Sequence, residues 1–349
     1  MNASTFDGDM GTRAPVAAPH PTHKLRLLLK REFWEHKGGF FWAPLVAGGI
    51  SLLLTIMAWI VAEVVARKAV ADGQINIDND IKINGLDLGV ITGKMSPDDF
   101  HQLGQGIDFS LLTFAMWPMV VLAFVVFFYC LGALYDDRKD RSVLFWKSLP
   151  ISDRDTVVSK ALGALVVAPV IAIAAAMITI LGFMAFISLV VLIHGGNPYT
   201  LLWGPGNPLS VLVHLLASIP VYAVWALPTV GWLMLCSAWA RSKPFLWAVM
   251  IPVFAGIFVS WFDVMDLFNL ESGWFWGHIV GRSLLSAVPG GWLTLLDVDH
   301  VQNPEQLGSL LDVGRSYAVF LKPDMWIGAV AGVAMLIGAI RLRRWRDEG

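Results

Sequence analysis

Few residues of this chain have the types and spacing that catalysis or cofactor binding requires. Glu32 and His36 are four residues apart, which would place both on one helical face, but no HExxH motif accompanies them. Residues 89–95, GVITGKM, superficially resemble a phosphate-binding loop, yet only three residues separate the glycines and Met95 replaces the Ser or Thr. The sequence therefore predicts no catalytic, cofactor-binding or metal site in this chain, and no enzyme.

The long charged stretch between apolar segments covers residues 135–160, which we call the charged island. It combines six basic residues and five acids with a short apolar group that includes Phe145 and Trp146. Steering charge beside aromatic side chains that a partner can bury is typical of a docking surface. A merely solvated loop is the alternative, and we favour docking.

Two helix signals lie within the island. Pro150 disfavours helix at Leu149, whereas Ser152 and Asp155 form a capping box. We therefore expect a short helix over residues 142–148, a break, and then a long helix that continues into the membrane.

The composition is that of a membrane protein. The 349 residues are 56% hydrophobic and 15% charged, against about 25% charged residues in a soluble domain. The net charge of −2 gives no reason to expect nucleic-acid binding. We predict an all-α fold with six transmembrane helices, at about residues 40–65, 109–134, 161–193, 211–240, 244–262 and 325–340.

The connections between the spans predict the orientation. Residues 67–108 contain four bases and seven acids, and residues 263–323 contain three bases and seven acids, so both segments are expected outside. The basic flank before the first span, the charged island and the arginine-rich C-terminus are expected to be cytoplasmic. Residues 1–23 are expected to form a disordered tail, which leaves residues 24–349 as one six-span domain.

Two further surfaces follow from periodicity and residue size. Residues 23–37 predict an amphipathic helix in the membrane interface, with the face Leu25, Leu28, Leu29, Phe33 and Trp34 toward lipid. Gly328 and Gly332 in the last span offer a face for close helix packing.

No predicted span has an Asp, Glu, Lys or Arg in its middle, which argues against a proton-coupled carrier. Energy for any work must then come from a partner.

The island, LYDDRKDRSVLFWKSLPISDRDTVVSK from Leu134 to Lys160, resembles the loop between spans two and three of bacterial permeases in type-2 ATP-binding-cassette (ABC) exporters. The six spans, the amphipathic basic helix and a broken segment before the last span are similar to the same family. The resemblance covers about residues 24–345. The connection over residues 67–108 is longer than the minimal family pattern, so its role is unassigned.

The resemblance implies a permease that pairs with a second permease chain, identical or related, and with cytoplasmic ATPase subunits that hold ATP and Mg. It places the chain in the bacterial cytoplasmic (inner) membrane. It implies a coupling helix over residues 137–149, an elbow helix over residues 25–34, and a re-entrant gate over residues 274–289. The docking residues it implies are Asp136, Asp137, Arg138, Asp140, Arg141, Phe145, Trp146, Lys147 and Leu149.

One alternative function remains open at the level of sequence. A non-transporting membrane anchor or sensor would recruit a cytoplasmic protein through the same charged island. Such a protein would bind its partner without moving a substrate. The substrate of an exporter does not follow from the sequence.

Overall fold

The computed structural model describes residues 21–71, 95–140, 152–265, 271–296 and 312–345. These residues form helices and turns, with no β-strand among them. The first helices are α1 (Pro21–Glu35), α2 (Ala43–Ala71), α3 (Pro97–Gly132), α4 (Tyr135–Lys139), α5 (Asp153–Leu162) and α6 (Ala168–Ile193). They are followed by α7 (Pro208–Trp225), α8 (Leu227–Trp239), α9 (Pro244–Val264), α10 (Ser272–Phe275), α11 (Arg282–Leu285), α12 (Val313–Ala318) and α13 (Pro323–Trp345).

Six helical stretches are long and apolar enough to cross a membrane, which confirms the predicted all-α six-span fold. The chain is an integral membrane protein. The stretches are Gly38–Ala69, Pro97–Lys139, Asp153–Ile193, Pro208–Trp225, Pro244–Val264 and Pro323–Trp345.

The second span begins a dozen residues earlier than its apolar run suggested. Ser96 caps α3, because its hydroxyl accepts a hydrogen bond from the Asp99 N–H while the Asp99 carboxylate accepts one from the Ser96 N–H at 2.8 Å. This reciprocal capping satisfies amide donors that would otherwise lack partners at the helix start. The end of the segment expected to be an outer connection is therefore helical.

The third span is a long helix with a local widening. Ser152 caps α5, accepting from the Asp155 N–H at 3.1 Å, which is one of the two hydrogen bonds of the predicted capping box. A wider π-type turn at Gly163–Val167 joins α5 to α6, just before Pro169. Proline cannot donate a backbone hydrogen bond, so the ladder is rearranged at this point.

The fourth span is divided in two at Ala226. Pro228 lies in the first turn of α8, where its missing N–H breaks no helical hydrogen bond. The predicted broken segment before the last span lies against this division. Its residues Ser286 and Ala287 bond to α8 and α7: the Ser286 N–H donates to Thr229 at 2.9 Å, and Tyr222 donates to the Ala287 carbonyl at 3.1 Å.

Helix α13 packs closely along α8. A side chain at Gly231 would collide with the Gly332 carbonyl, and one at Gly332 would collide with the Leu227 carbonyl. These glycines let the two backbones approach each other, as small residues do in membrane helix pairs. Gly328 lies on the same side of α13, against Pro228 and Arg282.

Some predicted features fall outside the described residues. They are most of the tail, residues 72–94, and residues 141–151 of the charged island, which include Arg141, Phe145, Trp146, Lys147 and Leu149. Helix α1 starts at Pro21, within the last residues of the predicted tail.

Candidate functional site

A buried network of charged side chains lies where the charged island joins the helix bundle. Its centre is Lys160 in α5, whose side chain is enclosed. The Lys160 ammonium lies 3.3 Å from the Glu32 carboxylate of α1 and 3.6 Å from the Asp137 carboxylate of α4. Lys160 and Glu32 are each only 1% exposed. One lysine thus connects the N-terminal helix to both flanks of the island.

Arg343 extends the network to the last span. Its guanidinium lies 3.2 Å from the Asp137 carboxylate and 3.2 Å from the Asp153 carboxylate. Asp137 and Arg343 are both buried. The charges alternate in sign from Glu32 through Lys160, Asp137 and Arg343 to Asp153, so each basic group lies between two acids.

Aromatic side chains from α3 and from the segment between α1 and α2 enclose the Glu32 end. The Tyr129 hydroxyl donates to Glu32 Oε2 at 3.0 Å. The Tyr129 ring contacts the rings of His36 and Phe40 edge-on, with centroids 4.7 and 4.9 Å apart. Gly163 leaves room for the Tyr129 hydroxyl, because a Cβ there would lie 3.1 Å from it. The rings add to the burial of the Glu32–Lys160 ion pair.

A second set of contacts holds α4 on the end of α8. The Ser237 hydroxyl oxygen accepts from the backbone N–H groups of Leu134 and Tyr135, at 3.0 and 2.9 Å. The Arg138 guanidinium donates to the Ser237 carbonyl and, at 3.0 Å, to the Ala240 carbonyl. The residues at both ends of the 141–151 segment are therefore fixed to the bundle: those before it by Arg138 and Asp137, and those after it by Asp153 and Lys160.

The network affects the stability of the protein as well as its geometry. Removing one member of a buried ion pair leaves an uncompensated charge, at a cost of about 3–5 kcal/mol. A hydrophobic replacement of the whole network need not be destabilising. Its defined role is to fix the relative positions of α1, α4, α5 and α13.

The described members of the predicted docking set are divided between solvent and interior. Asp136 and Asp140 are exposed, whereas Asp137 is buried and Arg138 is partly buried. Asp137 and Arg138 are committed to contacts with the bundle. The docking role of the island stays a prediction, since its central residues lie outside the described part of the chain.

On α1, the predicted face is mostly covered. Leu28 is buried, and Leu25, Leu29 and Phe33 are partly buried, whereas Trp34 is 59% exposed. Glu32 follows Leu28 by one helical turn and lies on the same covered face. Placement of α1 in the membrane interface stays a prediction.

Glu32, Glu35 and His36 place ligand atoms within 4.8 Å of one another, which is metal-like spacing. Glu35, however, pairs with Arg31 at 3.2 Å, and Glu32 pairs with Lys160. Because bases within the chain already balance these carboxylates, the arrangement resembles an ion-pair cluster more than a cation site.

From the sequence, Lys160 and Asp153 are predicted only as charges of the island. The contacts that Glu32, Tyr129, Ser237 and Arg343 make are not predicted. One signal was available: Glu32 falls on the apolar face of an amphipathic helix, where a charge requires a partner.

Comparison with protein-family models, with curated proteins and with solved structures found no match to this chain.

Proposed function

We propose that this chain is the membrane-spanning permease subunit of an ABC exporter in the bacterial cytoplasmic membrane. In this proposal a separate cytoplasmic ATPase, which binds ATP and Mg, docks on the charged island. A second permease chain, identical or related, completes the pore. The cargo is left unassigned.

The observation that supports the proposal best is the buried network from Glu32 to Asp153. A loop that transmits force must be anchored rigidly at both ends, and the network fixes both flanks of the 141–151 segment to the bundle. The capped helical stretch from Asp153 to Ile193 continues into the membrane through the π-type turn at Gly163–Val167. A push on the island would therefore move α5 and α6 as one body.

The proposed mechanism follows from this stiffness. ATP binding closes the partner subunits, and the island transfers that motion to the second and third spans. The permease then alternates between states that are open to either side of the membrane. Asp136 and Asp140, which are exposed beside the docking segment, supply part of the polar rim.

Helix α9 of this chain offers a surface that a second permease chain could contact. This span exposes large apolar side chains along its length, among them Phe254, Phe258 and Trp261. In a membrane such a surface contacts either lipid or another helix. The proposal assigns part of it to the partner chain.

The test is purification of the tagged chain from its native membrane, with identification of the proteins that accompany it. Wild type is expected to retain an ATPase, and the double variant Phe145→Ala, Trp146→Ala is expected to lose it. Trp345→Ala is a matched control, because Trp345 is exposed at the same end of the bundle but outside the island. A stable wild-type complex that contains a cytoplasmic protein without ATPase activity would favour the anchor or sensor instead.

A further inference from the structure

Arg282 is a partly buried charged residue, packed against the helix bundle, that the proposed docking mechanism does not use. It begins α11, in the broken segment before the last span. Its backbone carbonyl accepts a hydrogen bond from Thr229 of α8 at 2.9 Å, and another from Ser286 at 2.9 Å. Arg282 is thus held beside the division between α7 and α8, against residues of the fourth and last spans.

The guanidinium of Arg282 stacks on an indole. Its central carbon lies 3.7 Å from the centroid of the Trp225 ring, a cation–π contact. On another side the guanidinium touches Gly328 of α13, where any side chain would collide with it. The glycine predicted as a packing residue therefore also leaves space for a cation.

Four buried donor atoms of this cluster have no acceptor in the part of the chain that the structure describes. Both terminal nitrogens of Arg282 are buried without a hydrogen-bond partner among the described residues, and so is Trp225 Nε1. Trp292 Nε1 has the same status, and the preceding residue, Gly291, lies against Trp225 Nε1. Buried donors are normally paired, and a buried cation normally has an anionic partner.

The acid that interacts with Arg282 electrostatically does not serve as that partner. Asp324 interacts electrostatically with Arg282, but it is exposed and forms no ion pair with Arg282 among the described residues. An ionisable residue within a membrane bundle is expected to have a functional partner. Here the missing complement is an acceptor with negative charge.

We propose that Arg282 and Trp225, with Trp292 beside them, form a binding site for an anionic oxygen-bearing group between the broken segment and α13. A phosphate or carboxylate matches the planar fork of the guanidinium, which donates two parallel hydrogen bonds. The Trp225 indole supplies a third donor and the stacking surface. Because the terminal nitrogens are covered in this arrangement, the ligand enters when the broken segment moves away from α13.

This inference does not rest on the proposed export function, because the full chain can be tested alone. The protein is placed in nanodiscs of phosphatidylcholine. In one arm, phosphatidylglycerol is titrated in and bound lipid is counted by native mass spectrometry. In the other arm, inorganic phosphate is titrated and binding is measured by calorimetry. Binding in the lipid arm alone identifies a headgroup as the ligand, whereas binding of free phosphate identifies a soluble oxyanion.

Arg282→Gln is expected to weaken binding by at least about tenfold, since it removes charge-assisted hydrogen bonds. Trp225→Phe keeps an aromatic ring for stacking but loses the N–H donor, and is expected to weaken binding by about threefold. Lys322→Gln, at an exposed base near the start of α13, is the matched control and should bind as wild type does. Unchanged affinity in Arg282→Gln, or no saturable binding by wild type in either arm, would overturn the proposal.

Discussion

At the scale of single residues, Lys160 shows how one buried charge can hold several helices together. It is enclosed between Glu32 and Asp137, which come from helices on either side of it. A long hydrophobic side chain could fill the same space, but it would leave the buried Glu32 carboxylate without its cation and Asp137 with Arg343 alone. The stability of the buried network therefore depends on all of its members together.

Lys160→Met is expected to lower the free energy of unfolding by about 3–5 kcal/mol, because Glu32 loses its cation and Asp137 loses one of two. Unfolding can be followed in mixed micelles with increasing denaturing detergent. Lys68→Met removes an exposed lysine near the end of α2 and is expected to change stability by about 0.5 kcal/mol or less. Equal stabilities for the two variants would contradict a buried network.

Whether a contact could be predicted from the sequence depended on how far apart its residues lie along the chain. Lys160 and Glu32 are 128 residues apart, and Arg343 and Asp137 are 206 apart. No local pattern marks such pairs. The Ser152 cap was predictable because its signal spans four residues, and Gly328 and Gly332 because one helical turn connects them.

At the scale of elements, the pair α8 and α13 depends on backbone contact. Gly231 and Gly332 face each other, and neither tolerates a Cβ without displacement of the opposing backbone. Close contact of this kind provides van der Waals attraction where lipid offers no hydrophobic driving force. Helix α13 also carries Arg343, so its position affects the charged network.

Gly332→Ala is expected to destabilise the protein by about 1–3 kcal/mol, because the added methyl group forces α13 away from α8. Gly49→Ala is the matched control: it is also a glycine within a span, but nothing lies near its missing Cβ. The control is expected to be neutral or stabilising, since alanine favours helix. Thermal unfolding in detergent measures both, and equal midpoints would show that the α8–α13 contact is loose.

At the scale of the whole molecule, the six-span architecture was predictable because hydropathy is a local property that lipid enforces on every span. The helix ends were less predictable. Helix α3 begins at Pro97 because Ser96 and Asp99 cap it, and the fourth span is divided at Ala226. Both features depend on capping and proline geometry rather than on hydropathy.

The sidedness predicted from the basic residues can be measured by cysteine labelling. The native Cys130 and Cys236 are buried and give little background. In intact spheroplasts, a cysteine at Lys322 is expected to react with an impermeant maleimide. A cysteine at Gly349 is expected to react only after the membrane is permeabilised. Reaction of both positions in intact spheroplasts would contradict a cytoplasmic C-terminus.

Docking of an ATPase on the charged island is tested most directly by photo-crosslinking from Trp146. A photoreactive phenylalanine analogue is placed at residue 146, and at Trp345 as a control, and the protein is irradiated in living cells. A covalent adduct between residue 146 and a cytoplasmic ATPase is expected, with a much weaker one from residue 345. Adducts from residue 146 only to lipid, or to a protein without an ATP-binding domain, would contradict it.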